Sequence, residues 1–260
     1  MSERFEGHDP AQGQDTAGVP WQGRELTSTG FDADDGAADV SLLGALGAAT
    51  ASHPPHAESE PESPMVDEVG LLAAVSAARL IIPIVAVPGA DAASDMAAVT
   101  LSAPDGRKAL PAFTSIDQLA AWDGQARPVP VTAQRAALAA VQEGCDVMVL
   151  DVGTPHAREL RTSMVWALAM GRDWWPAHRD EHVARAVGTA ARGEQHIVRW
   201  SLGEGEAGAL VIHVALVPGL TPRQINDVLQ RVGAQIATDG EARARIDAVV
   251  FRLLDDTASH

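Results

Sequence analysis

The chain has 260 residues, 46% of them apolar, and a formal net charge of -16, which suits one large or two small domains with a substantial core. The acidity is uneven: residues 1–68 carry 14 acids and two arginines, whereas residues 69–260 carry 21 acids and 17 bases. That balance offers no basic stripe for nucleic acid and would repel an anionic membrane surface, and the single cysteine, Cys145, excludes an intramolecular disulfide.

The start, Met1-Ser-Glu-Arg-Phe-Glu-Gly, lacks the basic and apolar regions of a secretory signal. The apolar run Leu80–Val87 is too short to span a bilayer. A cytoplasmic protein is therefore expected. Residues 1–20, rich in Gly, Asp and Gln, read as a disordered tail. Residues 21–51 read as a helical island with an anchor at Trp21, a turn at Thr29-Gly30-Phe31 and acids at Asp32, Asp34 and Asp35. Its apolar helix places Leu42, Leu43 and Leu46 on one face, and Asp35 is the expected cap. Residues 52–65, with His53-Pro-Pro-His-Ala-Glu-Ser-Glu-Pro-Glu-Ser-Pro64, have the composition of a Pro/Glu-rich linker.

Residues 66–154 form the expected first lobe. The pattern predicts a helix over Asp67–Arg79, a buried strand over Leu80–Val87, and strands over Met96–Leu101 and Lys108–Phe113 about an Asp105-Gly106 turn. Ser115 caps a helix to Trp122, Thr132 caps one to Glu143 that Gly144 ends, and Val147–Asp151 closes the lobe as a strand. Residues 155–257 form the second lobe. Its leading helix is expected over 155–171, with Thr154 as cap and Pro155 in the first turn. Trp174-Trp175-Pro176 stops that run. Asp180 then caps Glu181–Arg192, His196–Leu202 and Ala209–Val217 form a hairpin, Thr221-Pro222 opens a helix to Thr238, and Ile246–Leu254 is the final strand. The expected class is α+β: two mixed α/β lobes joined by a helix, preceded by a partly disordered acidic N-terminal extension.

Over residues 66–254 the chain resembles the SseB-like family, named for enhanced serine sensitivity. The resemblance rests on the strand Leu80–Val87, the Pro111-Ala112-Phe113-Thr114-Ser115 turn, the helix before Val147–Asp151, Trp175-Pro176 with Asp180, and Val217-Pro-Gly-Leu-Thr221. The preface Trp21-Gln-Gly-Arg24, Gly30-Phe31 and Asp35-Gly36-Ala-Ala-Asp39 is similar to actinobacterial members. Where family members often end the first-lobe strand in Asn-Pro, this chain has Asp151-Val152-Gly153. The resemblance implies no catalytic residue and no cofactor.

His178-Arg-Asp-Glu-His182 matches the inverted zinc-protease pattern, in which two histidines on one helix face hold zinc and the glutamate acts as base. The match requires both histidines to be helical, yet Asp180 is the better cap and puts His178 in the approach to the helix. Asp32 to Asp39 fails as a calcium loop because Ala37 and Leu43 stand where Gly and Glu are needed. Ser115, Ser163 and Ser201 lack a nucleophile elbow, and Gly203–Gly208 is a hairpin connection rather than a phosphate cradle. His213, mid-strand, reads as structural, and Cys145 as a small buried apolar residue.

These observations predict a binding or regulatory adaptor that uses a protein partner, with no catalytic, metal or cofactor residue. Its candidate contact residues are Trp21, Phe31, Trp166, Trp174 and Trp175, since exposed tryptophan is enriched at interaction hot spots. The alternatives are a metal-dependent hydrolase through His178, Glu181 and His182, and a protein that binds a small metabolite between its lobes.

Overall fold

A computed structural model describes residues 30–51, 67–88, 94–103 and 106–254. Trp21, the expected tail and the expected linker lie outside the described residues. The chain divides into two compact units, residues 1–35 and 36–260. Of the first, residues 30–35 are described; they hold Phe31 in a turn closed by the Asp34 N–H donating to the Phe31 carbonyl at 3.0 Å.

The second unit is α+β. It opens with α1 (Val40–Ala51) and α2 (Glu68–Ala77), followed by β1 (Arg79–Pro88), β2 (Ser94–Ala98), β3 (Leu101–Ser102) and β4 (Lys108–Ala112). Then come α3 (Ile116–Trp122), β5 (Arg127–Thr132), α4 (Ala133–Gln142), β6 (Val147–Leu150), β7 (Arg158–Leu160) and α5 (Thr162–Met170). The chain continues through α6 (Glu181–Arg192), β8 (Ile197–Glu204), β9 (Leu210–Leu216), α7 (Pro222–Thr238), α8 (Gly240–Arg245) and β10 (Val249–Leu253).

Among the described residues the strands form three sheets, ordered β2-β1-β5, β3-β4-β6-β7 and β10-β9-β8. The first is antiparallel throughout. The second is parallel at its centre, β4 to β6, with antiparallel strands outside. In the third, β8 and β9 form the expected hairpin and β10 joins β9 in parallel.

Alternation along the strands gives the first two sheets buried side chains on both faces. Leu80, Ile82, Leu110 and Ala112 enter a large core with α2, α4 and α5, while Ile81 and Phe113 turn the other way to meet Leu119. Helix α4 presents Ala133, Ala136, Ala137 and Ala140 inward, and these small residues let it lie against α5. The third sheet uses Leu210, Ile212 and Val214 for a separate core with Val183 and Val187 of α6 and Val232 and Ile236 of α7. Gly188 lets α6 approach β8 closely, for a Cβ there would lie 3.0 Å from the Trp200 ring.

Several sequence expectations need correction. Asp39, not Asp35, caps α1: its carboxylate accepts from the Leu42 N–H at 3.0 Å. Leu42 and Leu46 are buried, but Leu43 is 47% exposed, because it lies one residue off their i, i+4 row. The expected helix over 155–171 is a turn, strand β7 and then α5. Arg158–Leu160 find backbone partners across β6, which overrides the local helical pattern. The Met96–Leu101 strand breaks into β2 and β3, which join different sheets. Strand β5 and helix α8 had no sequence expectation; β5 carries Pro128 and Pro130, tolerated because it is an edge strand.

The Asp151-Val152-Gly153 turn has a structural use. Asp151 is buried at a φ of 45°, and its carboxylate accepts from the Thr114 N–H at 2.8 Å and the Thr114 hydroxyl at 2.9 Å. It ties the carboxyl ends of the two parallel strands together. Among the described residues, no helix is long and apolar enough to cross a membrane.

Candidate functional site

The two cores meet at a charged joint. Arg161, just before α5, donates to both Glu68 oxygens at 2.6 and 2.9 Å and through Nε to Asp247 at 2.9 Å. Asp247 also accepts from the Ser163 N–H at 2.7 Å and the Ser163 hydroxyl at 2.9 Å, and Ser163 Oγ accepts from Trp174 Nε1 at 2.9 Å. Burial alone would lower the Arg161 pKa, but the bonds to Glu68 and Asp247 outweigh it and hold the guanidinium above its ordinary value. Gly208, at a φ of 78°, leaves room for the guanidinium, which a Cβ would meet at 2.6 Å. Every partner here is engaged, so the joint is structural.

A second polar cluster lies beside it, around the start of α6. Pro176 leads into a 3-10 turn, Ala177–Arg179, and Asp180 follows as cap. The buried Asp180 carboxylate accepts from the His182 and Val183 N–H groups at 2.7 and 3.2 Å and from Arg245 at 2.6 Å. Asp239 caps α8 and lies 3.2 Å from His182 Nε2. Its bond from the Ala242 N–H, helped by His182, holds the Asp239 carboxyl below its ordinary pKa. Glu241 accepts from Arg245 at 2.7 and 2.9 Å and from Arg172, and those bonds lower its pKa as well.

Trp175 stands over this cluster, 45% exposed, with the Arg179 guanidinium 5.8 Å from its ring centroid. Two cavities share Trp175 as a wall. One is an open cleft of about 500 Å³, lined by Arg179, Glu181, His182, Arg185 and Arg245. The other is a narrower slot of about 120 Å³ between α2 and α5, lined by Val69, Leu72, Leu168 and Trp174. Arg172 borders this slot and also a third cavity of about 470 Å³ that carries Trp166 and Met170. A continuous surface thus runs from Trp166 to Arg185.

The sequence candidates distribute unevenly over it. Trp175 and Trp166 are accessible, the latter 37% exposed. Trp174 is not a contact residue: it is 7% exposed, in the first core, with its N–H bonded to Ser163. His178 lies in the 3-10 turn and His182 in the first turn of α6, so the two do not share a helix face. Glu181 lines the cleft. Among the described residues, no group of three or more His, Cys, Asp or Glu is placed to hold a metal ion. Ser115 caps α3. Ser201 stands opposite His213 in the β8–β9 register, and His213 packs over Gly203. Cys145 packs on the first core, and burial pushes its thiol above the ordinary pKa, the reverse of activation.

Sequence reasoning missed Arg179, Arg185 and Arg245. The only local hints were Arg179 four residues after Trp175 and Arg185 one turn after Glu181; nothing marked Arg245, 65 residues from Asp180. Residues 57–167 match the family model described as SseB protein N-terminal domain. No curated protein and no solved structure matches the chain. The matched segment ends inside α5, so Trp174, Trp175 and the cleft lie beyond it.

Proposed function

We propose, from the match of residues 57–167 to the SseB protein N-terminal domain model, that the chain is a cytoplasmic, non-catalytic adaptor that works by binding a protein partner. The observation that carries this reading is the state of the side chains around Trp175. Asp180, Asp239, Glu241, His182 and Arg245 are bound to one another or to helix N–H groups, which leaves none of them poised as base, acid or nucleophile. An exposed tryptophan and an arginine whose guanidinium lies 5.8 Å from its ring centroid remain on the outside, both of residue types enriched at interaction hot spots. The hydrolase alternative through His178, Glu181 and His182 has no support from this geometry, because His182 faces Asp239 and His178 lies off its helix.

The test is to recover proteins that co-purify with the native chain and with Trp175→Ala and Trp166→Ala variants of equal thermal stability. The adaptor reading expects a stoichiometric partner that the Trp175→Ala chain loses. It fails if the partner set is unchanged in both variants, or if the purified protein turns over a substrate and His182→Ala abolishes that turnover.

A further inference from the structure

We propose that the slot between α2 and α5 binds a free aliphatic α-amino acid as its zwitterion. The side chain enters the slot, the ammonium meets Asp173 and Ser76, and the carboxylate meets Arg172. This goes beyond the adaptor reading and does not depend on it. Two independent features point to this chemistry. The first is size and floor. Leu72 and Leu168 are each 4% exposed and Trp174 7%, so the bottom of the slot is apolar and sealed. At about 120 Å³ the slot is far smaller than a pocket for a drug-sized molecule. A closed cavity of about 150 Å³ holds benzene, so an isopropyl or isobutyl group fits here with its charged end left at the mouth.

The second feature is the polar part of the lining, which is Ser76, Arg172 and Asp173. Asp173 is exposed, and its carboxylate has no hydrogen bond or ion pair among the described residues. The Ser76 hydroxyl donates to the Ala73 carbonyl at 2.8 Å, which leaves its oxygen able to accept. Arg172 donates through Nη1 to Glu241, while its Nη2 is buried with no partner among the described residues. A guanidinium has several N–H donors, and Arg161 of this chain already serves two carboxylates, Glu68 and Asp247. Arg172 likewise keeps donors for a second carboxylate beside Glu241. The slot therefore offers an acceptor pair and a cationic donor on neighbouring residues, above an apolar floor. That set matches a ligand with an ammonium and a carboxylate on one carbon and an aliphatic tail. A purely anionic ligand would face Asp173, and a purely cationic one would face Arg172, so neither is served as well.

The experiment is isothermal titration calorimetry on the full chain with L-valine, isobutylamine, which lacks the carboxylate, and 3-methylbutanoate, which lacks the ammonium. L-valine is expected to bind at one site. Each analogue should bind at least about tenfold more weakly, the loss expected when one charged hydrogen-bonding group is removed. Asp173→Asn, at an exposed position, should weaken L-valine by a similar factor. Ala73→Leu, from an exposed position on α2 that lines the slot, should fill it and abolish binding. Both variants should keep the parent's melting temperature without ligand, which separates loss of the site from loss of the fold. No heat with L-valine, or undiminished binding by either variant, would overturn the inference. So would isobutylamine binding as tightly as L-valine, which marks a cation site, or 3-methylbutanoate doing so, which marks an anion site. Partner capture that depends on Trp175 is read separately, so the inference and the adaptor reading stand or fall independently.

Discussion

The first core and the second differ in how completely the sheet face turned away from the main core is closed. In the first, β1 and β4 turn Leu80 and Leu110 one way and Ile81 and Phe113 the other, and both sets are sealed. In the second, Leu210, Ile212 and Val214 face α6 and α7, while on the opposite face Val211 is buried and His213 and Ala215 are only half-buried. A region closed on both faces has little surface for function except at its ends. The accessible tryptophans and free arginines accordingly collect where the first core gives way to the second, between α5 and α6.

The comparison can be broken most directly at Phe113. Phe113→Ala should cost about 3–5 kcal/mol, read as a lowered urea midpoint, because it empties a fully enclosed site. A loss under about 1 kcal/mol would show that this side of the first sheets is not a true core. The next largest effect belongs to the joint. Arg161→Ala strands Glu68 and Asp247, whose side chains are 27% and 14% exposed, and should cost about 3 kcal/mol. It should also separate the unfolding of the two regions, seen as non-coincident transitions by circular dichroism and tryptophan fluorescence. Coincident transitions would mean that apolar contacts alone couple them.

Acid should weaken the second region by a smaller amount. Asp239 and Glu241 have folded pKa values below their unfolded ones. Their contribution is therefore present above the ordinary carboxylate range and is lost as pH falls from about 5 through the folded values. Both side chains are more than a third exposed, which keeps the effect modest. Melting temperature followed from pH 6 to pH 3 should fall less steeply in Asp239→Asn than in the parent; identical slopes would remove this pair from the account. The smallest change is expected at His213, half-buried on the less closed face of the third sheet. His213→Ala should stay within about 0.5 kcal/mol by urea denaturation, and a loss several times larger would mean that this face is covered after all.

Legibility in the sequence followed the range of the interaction. Ser115, Thr132, Asp180 and Thr221 each cap the helix expected of them, because a cap bonds to N–H groups two or three residues away. The helices Glu181–Arg192 and Pro222–Thr238 begin and end where the pattern placed them. Strand β7 was hidden because its partner is another strand, and β5 because its prolines argue against a strand until its edge position is known. At the candidate surface, Trp166, Trp175 and His182 were visible as residue types. Which tryptophan is buried was not, since Trp174 and Trp175 are neighbours in an identical context and differ only in what the fold places above them.

By itself the sequence determined the α+β class, the caps and periodicities of its helices, and a strand pattern matching one family, since each is decided by contacts within a turn or two of the chain. Only the tertiary structure decided that Arg161 would join Glu68 and Asp247, 93 and 86 residues away, and that Arg179 and Arg185 would be left facing solvent beside Trp175. Whether a charge is satisfied depends on which distant groups reach it once water is excluded, and the local order of residues does not encode that distance.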